Sequence, residues 1–385
     1  MQYTSVLNTL TINDNLQFKN KIYFAPMGVG LSNIKGEFTN ELADFYNLIF
    51  QGGCGFAVTG NVTVSEKSKL SINNLSLYNK EQFISLCNFF DQINNQYKNL
   101  IFIQLHHYGS QGNPLITNNP LLSPSGIISQ KSKDKGDQRF YPVVMSAQDI
   151  EDVIKAYIES AKMIYETGIK NIQIHAANGY LISSFLSPYT NLRSDKYGGN
   201  TIKRGTILLE ILDGIHAATQ GKMNISVRLG IHDLMGNQGQ YPELLEDLVK
   251  ILPNHGVSMI TCSIATIDSY NKLLNYNQST DQLLHKSVET IKTFTNIPVG
   301  FDGFINSLEK ADQLIRENIC DFVGMSRALF ADNNLIKKTI NKQYHSINKC
   351  LYDGNCFKDK SNPLLDRVYC CVNKNYLRPN HIHYR

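Results

Sequence analysis

Apolar side chains along this chain follow two alternating rhythms. Short runs dense in Val, Ile and Phe give way to longer stretches in which apolar positions recur every three or four residues. The first pattern is that of a strand buried on both faces, the second that of an amphipathic helix. KIYFAPM at 21–27 is followed by TNELADFYNLIFQGG at 39–53, whose paired glycines close a helix. CGFAVTG at 54–60 precedes EQFISLCNFFDQINN at 81–95. NLIFIQLHH at 99–107 leads through a long irregular insertion to AQDIEDVIKAYIESAKMIYETG at 147–168, and NIQIHAA at 171–177 through a second insertion to TIKRGTILLEILDGIHAAT at 201–219. Four further pairs follow: 223–230 with 241–256, 257–263 with 283–294, 297–304 with 306–318, and 320–327 with 328–345.

Eight strand–helix units predict an α/β fold with a parallel sheet covered by helices, and closure into a (β/α)8 TIM barrel uses all eight without leaving an edge. An open doubly wound sheet is the alternative. It fits less well because no glycine-rich dinucleotide fingerprint follows the first strand. The expected organisation is one barrel over residues 1–345 and an irregular, Cys-containing extension over 346–385, which carries Asn, Pro, Lys and Tyr without periodicity.

Composition narrows the classes. With 42% hydrophobic residues over 385 positions the chain can build a large core. A net charge of +4 without a basic block argues against a nucleic-acid partner. No run of about 18 apolar residues suits a membrane span, and no basic segment leads into an apolar one at the start, so the cytoplasm is the expected location. Cys54, Cys87, Cys262 and Cys320 lie in apolar contexts and read as core thiols.

In a barrel, chemistry belongs at the C-terminal ends of the strands. There the sequence places Ala25-Pro26-Met27-Gly28, Thr59-Gly60, Gln104-Leu105-His106-His107, and His175-Ala176-Ala177-Asn178-Gly179-Tyr180. The last group offers an imidazole, an amide and a phenol, enough to grip a carbonyl oxygen and deliver a proton; the plainer reading is that His175 simply closes a strand. Arg228, ending the fifth strand, needs an anionic or strongly polar partner if buried. Gly300-Phe301-Asp302-Gly303 and Gly324-Met325-Ser326-Arg327 stand where the last two strands of such barrels commonly hold a phosphate. Phosphate grip, mid-barrel Arg and polar trio together outline a cofactor with a phosphate tail and a reactive head.

From Ile22 to Asn334 the chain resembles the old yellow enzyme family of flavin-dependent ene-reductases, especially the barrel domain of 2,4-dienoyl-CoA reductases. The most specific stretch is IQIHAANGYLISSFLSPYTNLRSDKYGGNTIKR at 172–204, supported by APM at 25–27, QLHHYG at 104–109 and GMSRALFADNNL at 324–335. The resemblance implies a barrel that binds FMN noncovalently, is reduced by NADH or NADPH, and is reoxidised by an activated alkene as small-molecule substrate. It implies that the Ala25-Pro26-Met27 backbone and Gly60 lie beside the flavin, that Gln104 meets its pyrimidine edge, and that Arg228 stands near N1. Gly303, Gly324 and Arg327 would hold the phosphate, His175 and Asn178 the substrate carbonyl, and Tyr180 would protonate the α-carbon while hydride from flavin N5 reaches the β-carbon. Tyr180 as a wall of the cavity, and Asp195 and Tyr197 as braces of its mouth, are the structural readings of the same motif.

Two departures affect what can be carried over. Gly28 stands where relatives have Cys or Thr, and Ser110 where they often have Arg. In the extension, Cys350, Cys356, Cys370 and Cys371 are candidate ligands for the [4Fe-4S] cluster of dienoyl-CoA-reductase-like relatives, but Asp353 occupies the middle of the C-x2-C-x2-C pattern. A metal-free packed tail is therefore expected, with a regulatory disulfide or another metal as alternatives. Electrons would enter directly from NAD(P)H or through a separate reductase, and a homo-oligomer is an open expectation. A phosphate-binding lyase or isomerase barrel and a non-catalytic flavin-binding protein are the competing function classes. The first is disfavoured because no Schiff-base lysine stands at the strand ends. The charges of KSKDKGDQR in the insertion at 113–145 read as a solvated loop, with an acidic substrate or thioester phosphate as the other possible meeting partner.

Overall fold

A computed structural model describes residues 3–274, 277–354, 356 and 367–377. Eight parallel strands close into a (β/α)8 barrel: β1 (Ile22–Phe24), β2 (Phe56–Val58), β3 (Ile101–His106), β4 (Asn171–Ala176), β5 (Asn224–His232), β6 (Val257–Ile264), β7 (Val299–Phe301) and β8 (Phe322–Met325). The ring runs β2-β1-β8-β7-β6-β5-β4-β3, and β2 pairs with β3 to complete it. Their helices are α1 (Asn40–Gln51), α2 (Lys80–Gln92), α3 (Ala147–Glu166), α4 (Thr201–Ala218), α5 (Glu246–Ile251), α6 (Gln278–Thr293), α7 (Leu308–Arg316) and α8 (Leu335–Ile340).

Local chemistry explains where these helices start. Thr39, Asn79, Ser146, Asn200, Asn277 and Ser307 each accept a hydrogen bond from a first-turn backbone N–H. Ser146 and Asp149 complete a reciprocal capping box at α3. Two expected helices are interrupted. Over 241–256 the prolines at 242 and 253 confine regular α-helix to Glu246–Ile251, with 3-10 turns at Pro242–Leu245 and Leu252–His255. Over 328–345 the chain breaks into Arg327–Ala331 and Leu335–Ile340, because Asp332 turns extended and its carboxylate accepts from Asn334 N (3.0 Å), Lys338 Nζ (2.7 Å) and Asn348 N (2.9 Å). The sixth helix begins earlier than its apolar pattern shows, at the Asn277 cap.

By contact density the chain forms two compact units, Met1–Val62 with Ser71–Gln104 and Asp302–Arg385, and Thr63–Leu70 with Leu105–Phe301. The first is built on an aromatic cluster. Phe56 of β2 lies between Phe18 (centroids 4.2 Å) and Tyr23 of β1 (4.8 Å), and Phe102 and Phe322 close the group at 5.8 and 5.7 Å from Phe56. Phe18 comes from an antiparallel hairpin, Leu10–Asn13 with Leu16–Phe18, which the strand–helix rhythm did not reveal. The described part of the extension packs on the same unit: Tyr376 stacks on Phe330 (4.7 Å) and Asn373 Nδ2 donates to Phe330 O (2.7 Å). The remainder of the expected extension, 355, 357–366 and 378–385, lies outside the described residues.

The second unit has a polar interior. Because alternate residues of a strand face one side, Gln173 and His175 share a face of β4, Ser226 and Arg228 a face of β5, and Thr261 and Ser263 a face of β6. Gln173 Nε2 donates to Ser226 Oγ (3.0 Å) and Thr261 Oγ1 (3.4 Å), satisfying buried polar groups without water. In the insertion, Leu122–Ser123 and Val143–Val144 form a short ladder and Gln130–Asp134 a helical turn, so the loop has structure of its own.

Removing the ring at the centre of the aromatic cluster tests this account. Phe56→Ala is expected to lower unfolding free energy by about 3–5 kcal/mol, read as a lower urea midpoint at unchanged m-value. A midpoint equal to the parent's would show that the cluster does not carry the first unit.

Candidate active site

The second unit brings together the residues that the sequence singled out on strands four and five, and adds Thr261 and Ser263 of strand six. The parallel ladders set Arg228 opposite His175 on one side and opposite Thr261 on the other. After β4 the chain turns through Asn178 (φ 60°) and Gly179 (φ 74°), and Tyr180 leads into a short helix, Leu181–Leu186. A Cβ at Gly179 would lie 3.1 Å from both Gln111 Nε2 and Thr266 Cβ, so this left-handed turn suits glycine. Leu181 N donates to His107 O (3.2 Å), which ties the helix after Tyr180 to the end of β3.

The rings of His106, Tyr108, His175 and Tyr180 form one cluster. His106 stands edge-on to Tyr180 (centroids 4.3 Å) and to Tyr108 (4.3 Å), and 5.0 Å from His175, while His175 lies 5.1 Å from Tyr180. His175 Nδ1 accepts from Ala177 N (3.3 Å), which fixes the ring proton on Nε2. His106 is fully buried, and neither ring nitrogen has a hydrogen-bond partner among the described residues. An unmet buried polar group costs about 1–3 kcal/mol. The sequence places His106 at the end of the third strand without a role; it lies two residues from Gln104, on the same face of β3, and that spacing is the signal for it.

Asn178 reaches from the β4 turn to the end of β6. Its Nδ2 lies within hydrogen-bond reach of Ser263 Oγ (3.1 Å), Ile264 O (3.2 Å) and Ala265 O (3.4 Å), and its main-chain carbonyl accepts from Gln111 Nε2 (2.9 Å). The amide therefore locks the β4 turn to the end of β6. Ser263 Oγ also accepts from an Arg228 guanidinium nitrogen (3.3 Å).

Desolvation sets the charge of this cluster. Burial pushes His106 and His175 well below the usual imidazole range, with the neighbouring His107 adding to the effect on His106, and His106 and Arg228 adding to it on His175. Burial alone takes His107 down to about 3. All three are neutral at physiological pH and act as hydrogen-bonding groups rather than cations.

The expected phosphate-side residues lie in the first unit. A Cβ on Gly324 would come within 2.6–2.7 Å of Tyr23 and Asp302, and one on Gly60 within 2.7 Å of Met27 O, so glycine permits close backbone approach at both strand ends. Ala25 and Met27 are buried, Ala25 N donating to Met325 O (3.4 Å), and Gln104 is fully buried with its N–H on Thr59 Oγ1 (3.0 Å). The half-buried Arg327 guanidinium lies over the rings of Tyr352 (4.9 Å) and Phe304 (5.6 Å), with no carboxylate paired to it among the described residues. Gly303 is half-buried beside Phe304, and Gly28 is exposed. In the first unit the Arg327 guanidinium without a carboxylate and the glycine cradles at strand ends fit the phosphate end of a flavin mononucleotide, and in the second unit Arg228 in a polar interior suits a group that becomes anionic.

A model of the NADH:flavin oxidoreductase / NADH oxidase family matches residues 7–346. The chain belongs to that family. The flavin of that family is FMN. An NADH oxidase of Thermoanaerobacter brockii is 30% identical over 339 residues, 88% of this chain and 51% of that protein. A cinnamate reductase of Clostridium sporogenes is 25% identical over 373 residues, 91% of this chain and 55% of its own length. The chain thus spans about half the length of these relatives. The fold is shared with the old yellow enzyme homologue of Zymomonas mobilis, at a TM-score of 0.73 and 17% identity over 90% of this chain and 95% of that one. Among the described residues no helix is long and apolar enough to cross a membrane.

Among the described residues no group of three or more His, Cys, Asp or Glu side chains is placed to hold a metal. Cys371 Sγ donates to Asp353 Oδ2 (3.1 Å), and burial with that carboxylate pushes the thiol up to about 11; Cys350 Sγ accepts from Tyr352 N (3.5 Å). Cys356 and Cys370 are half-buried and form no disulfide with a described residue.

The neutral imidazoles link folding to pH. Their folded-state values lie below the unfolded value near 6.5, so the unfolded chain binds protons that the folded chain does not, and stability falls as pH drops below 6.5. Between the unfolded value and a much lower folded one, the loss for each group approaches a limit of about 1.4 kcal/mol per pH unit. Urea unfolding should give a lower midpoint at pH 5.5 than at pH 7.5; pH-independent stability across that interval would contradict the buried neutral cluster.

Proposed function

We propose that the chain is the FMN-binding barrel of an NAD(P)H-dependent ene-reductase acting on a small activated alkene, with residues 1–345 as the barrel and 346–385 as an irregular extension. The observation that carries this reading is the cluster of neutral His175 and Tyr180 beside the Arg228 strand, because it pairs an oxygen-holding N–H with a phenol that can release a proton. The cinnamate reductase relative, named for an alkene substrate, supports the same reaction type. FMN, once reduced by NADH or NADPH, supplies a hydride for the β-carbon of an alkene conjugated to a carbonyl or similar group.

The remaining work falls to the chain. In the first unit the Ala25-Pro26-Met27 backbone, Gly60 and Gln104 border the flavin, and Gly303, Gly324 and Arg327 hold its phosphate. In the second unit Arg228 offsets negative charge at the N1 side. His175 donates from Nε2 to the substrate oxygen, which withdraws electron density from the β-carbon. Tyr180 gives its hydroxyl proton to the α-carbon, and burial of the cluster keeps competing water away. Asn178 serves by positioning the turn that carries Tyr180. Electrons reach the site directly from NADH or NADPH; a separate reductase would be the alternative donor.

Purified protein loaded with FMN should be bleached anaerobically by NADH or NADPH and recover its colour with an enone, enoate or nitroalkene. Recovery with no member of such a panel would end the ene-reductase reading. Tyr180→Phe is expected to leave FMN affinity and reduction intact while slowing alkene turnover by about 100-fold or more; equal turnover would remove Tyr180 as proton donor. Arg327→Ala is expected to weaken FMN binding by about 10- to 100-fold, the worth of a charge-assisted hydrogen bond, measured by fluorescence of released flavin. Unchanged affinity would place the phosphate elsewhere.

A further inference from the structure

We infer that Tyr352, in the extension beyond the last barrel helix, is a positioning residue for the cofactor: together with Phe304 it clamps the Arg327 guanidinium and so readies it for the flavin phosphate. This rests on the flavin reading of the barrel with Arg327 as phosphate ligand, and it adds to that site a residue from outside the barrel.

Three observations converge, all within the first unit. The Arg327 guanidinium lies over the rings of Tyr352 (4.9 Å) and Phe304 (5.6 Å), and among the described residues it has neither a carboxylate nor a hydrogen-bond acceptor. Ring faces attract a cation without consuming its N–H groups, so the planar fork of donors stays unspent. Both rings belong to residues in the left-handed backbone region, Phe304 at φ 52° and Tyr352 at φ 54°. That conformation is costly for a bulky side chain and persists where the surroundings impose it, commonly at ligand clamps. The chain leading to Tyr352 is also tied down. Asn348 N donates to Asp332 Oδ2 (2.9 Å), just past the short helix that Arg327 opens, and Tyr352 N donates to Cys350 Sγ (3.5 Å).

Electrostatics indicates what the clamp is for. Burial raises the Tyr352 hydroxyl above its ordinary range, with Arg327 opposing the shift, so the phenol stays neutral and does not pair with the guanidinium as an anion. The charge of Arg327 is left for a ligand. An arginine already held between two rings gives up less side-chain freedom on meeting an anion than a free one does. A phosphate monoester suits it, because its oxygens accept in pairs from the planar fork. Riboflavin, the same flavin without the phosphate, offers this clamp nothing to hold. Tyr352 and Phe304 therefore favour the phosphorylated cofactor.

Paired flavin titrations test the clamp. Flavin-free parent, Tyr352→Leu, Tyr352→Phe, Arg327→Ala and the variant combining Tyr352→Leu with Arg327→Ala are titrated with FMN and with riboflavin, followed by quenching of flavin fluorescence. Tyr352→Leu is expected to weaken FMN binding by about 3- to 30-fold, the worth of a partly buried cation–π contact, and riboflavin binding by less than about twofold. Tyr352→Phe, which keeps the ring, should stay within about twofold of the parent. In the Arg327→Ala background, Tyr352→Leu should cost no further FMN affinity. An equal loss of FMN and riboflavin in Tyr352→Leu, a loss that persists in the Arg327→Ala background, or FMN affinity that only Arg327→Ala weakens would each overturn the inference alone. If Arg327→Ala leaves the preference for FMN over riboflavin intact, the phosphate assignment fails, and the clamp with it.

Discussion

Register in the parallel ladder of β4, β5 and β6 is the constraint from which the candidate site follows. With Arg228 opposite both His175 and Thr261, every second residue on these strands turns inward at a common level. A slip by one residue would send His175, Arg228 and Ser263 to the helix side and bring apolar neighbours in. The lower level, Gln173 with Ser226 and Thr261, is satisfied by its own hydrogen bonds, so it holds the register from beneath. Positioning of the chemistry is therefore a property of the strands, whose backbone groups are fixed by their neighbours, and loops add only the turn through Asn178 and Gly179.

Desolvation then decides what these groups can do. An exposed histidine near neutral pH would exchange protons with water; the buried trio cannot, and each keeps a fixed tautomer or waits for a bound partner. That assigns polarisation to imidazole and proton delivery to phenol, two tasks that one ionising histidine would blur. The same burial makes the cluster a stability liability in acid, a cost accepted at a functional position.

The barrel was legible because its signal is repeated eight times: strands and helices separated by turns leave one closed arrangement that uses them all. The site was legible in part. His175, Tyr180 and Arg228 were found from their places at strand ends, and the structure groups His175 with Tyr180 and pairs Arg228 with His175 in register. Asn178 was found as a residue, but its amide direction depends on the end of β6, about 85 positions away, which no local pattern encodes. His106 was readable by its spacing from Gln104 and hidden by its neighbour His107, since two adjacent imidazoles give no hint of which one faces inward. Likewise the Leu10–Phe18 hairpin escaped the periodic reading because it is short, and its worth lies in placing Phe18 against Phe56.

The docking of Tyr376 on Phe330 bears on where this protein can be divided. Counting elements puts an end to the barrel near residue 345, after the last helix. Packing does not stop there: Asn373 holds the carbonyl of Phe330, Tyr376 covers that ring, and Tyr352 faces the Arg327 guanidinium. A fragment trimmed by topology would lose one face of an aromatic sandwich and the neighbour of a proposed phosphate ligand together. For anyone excising this barrel or fusing it to another module, the natural seam is chemical rather than topological, and it lies beyond Tyr376.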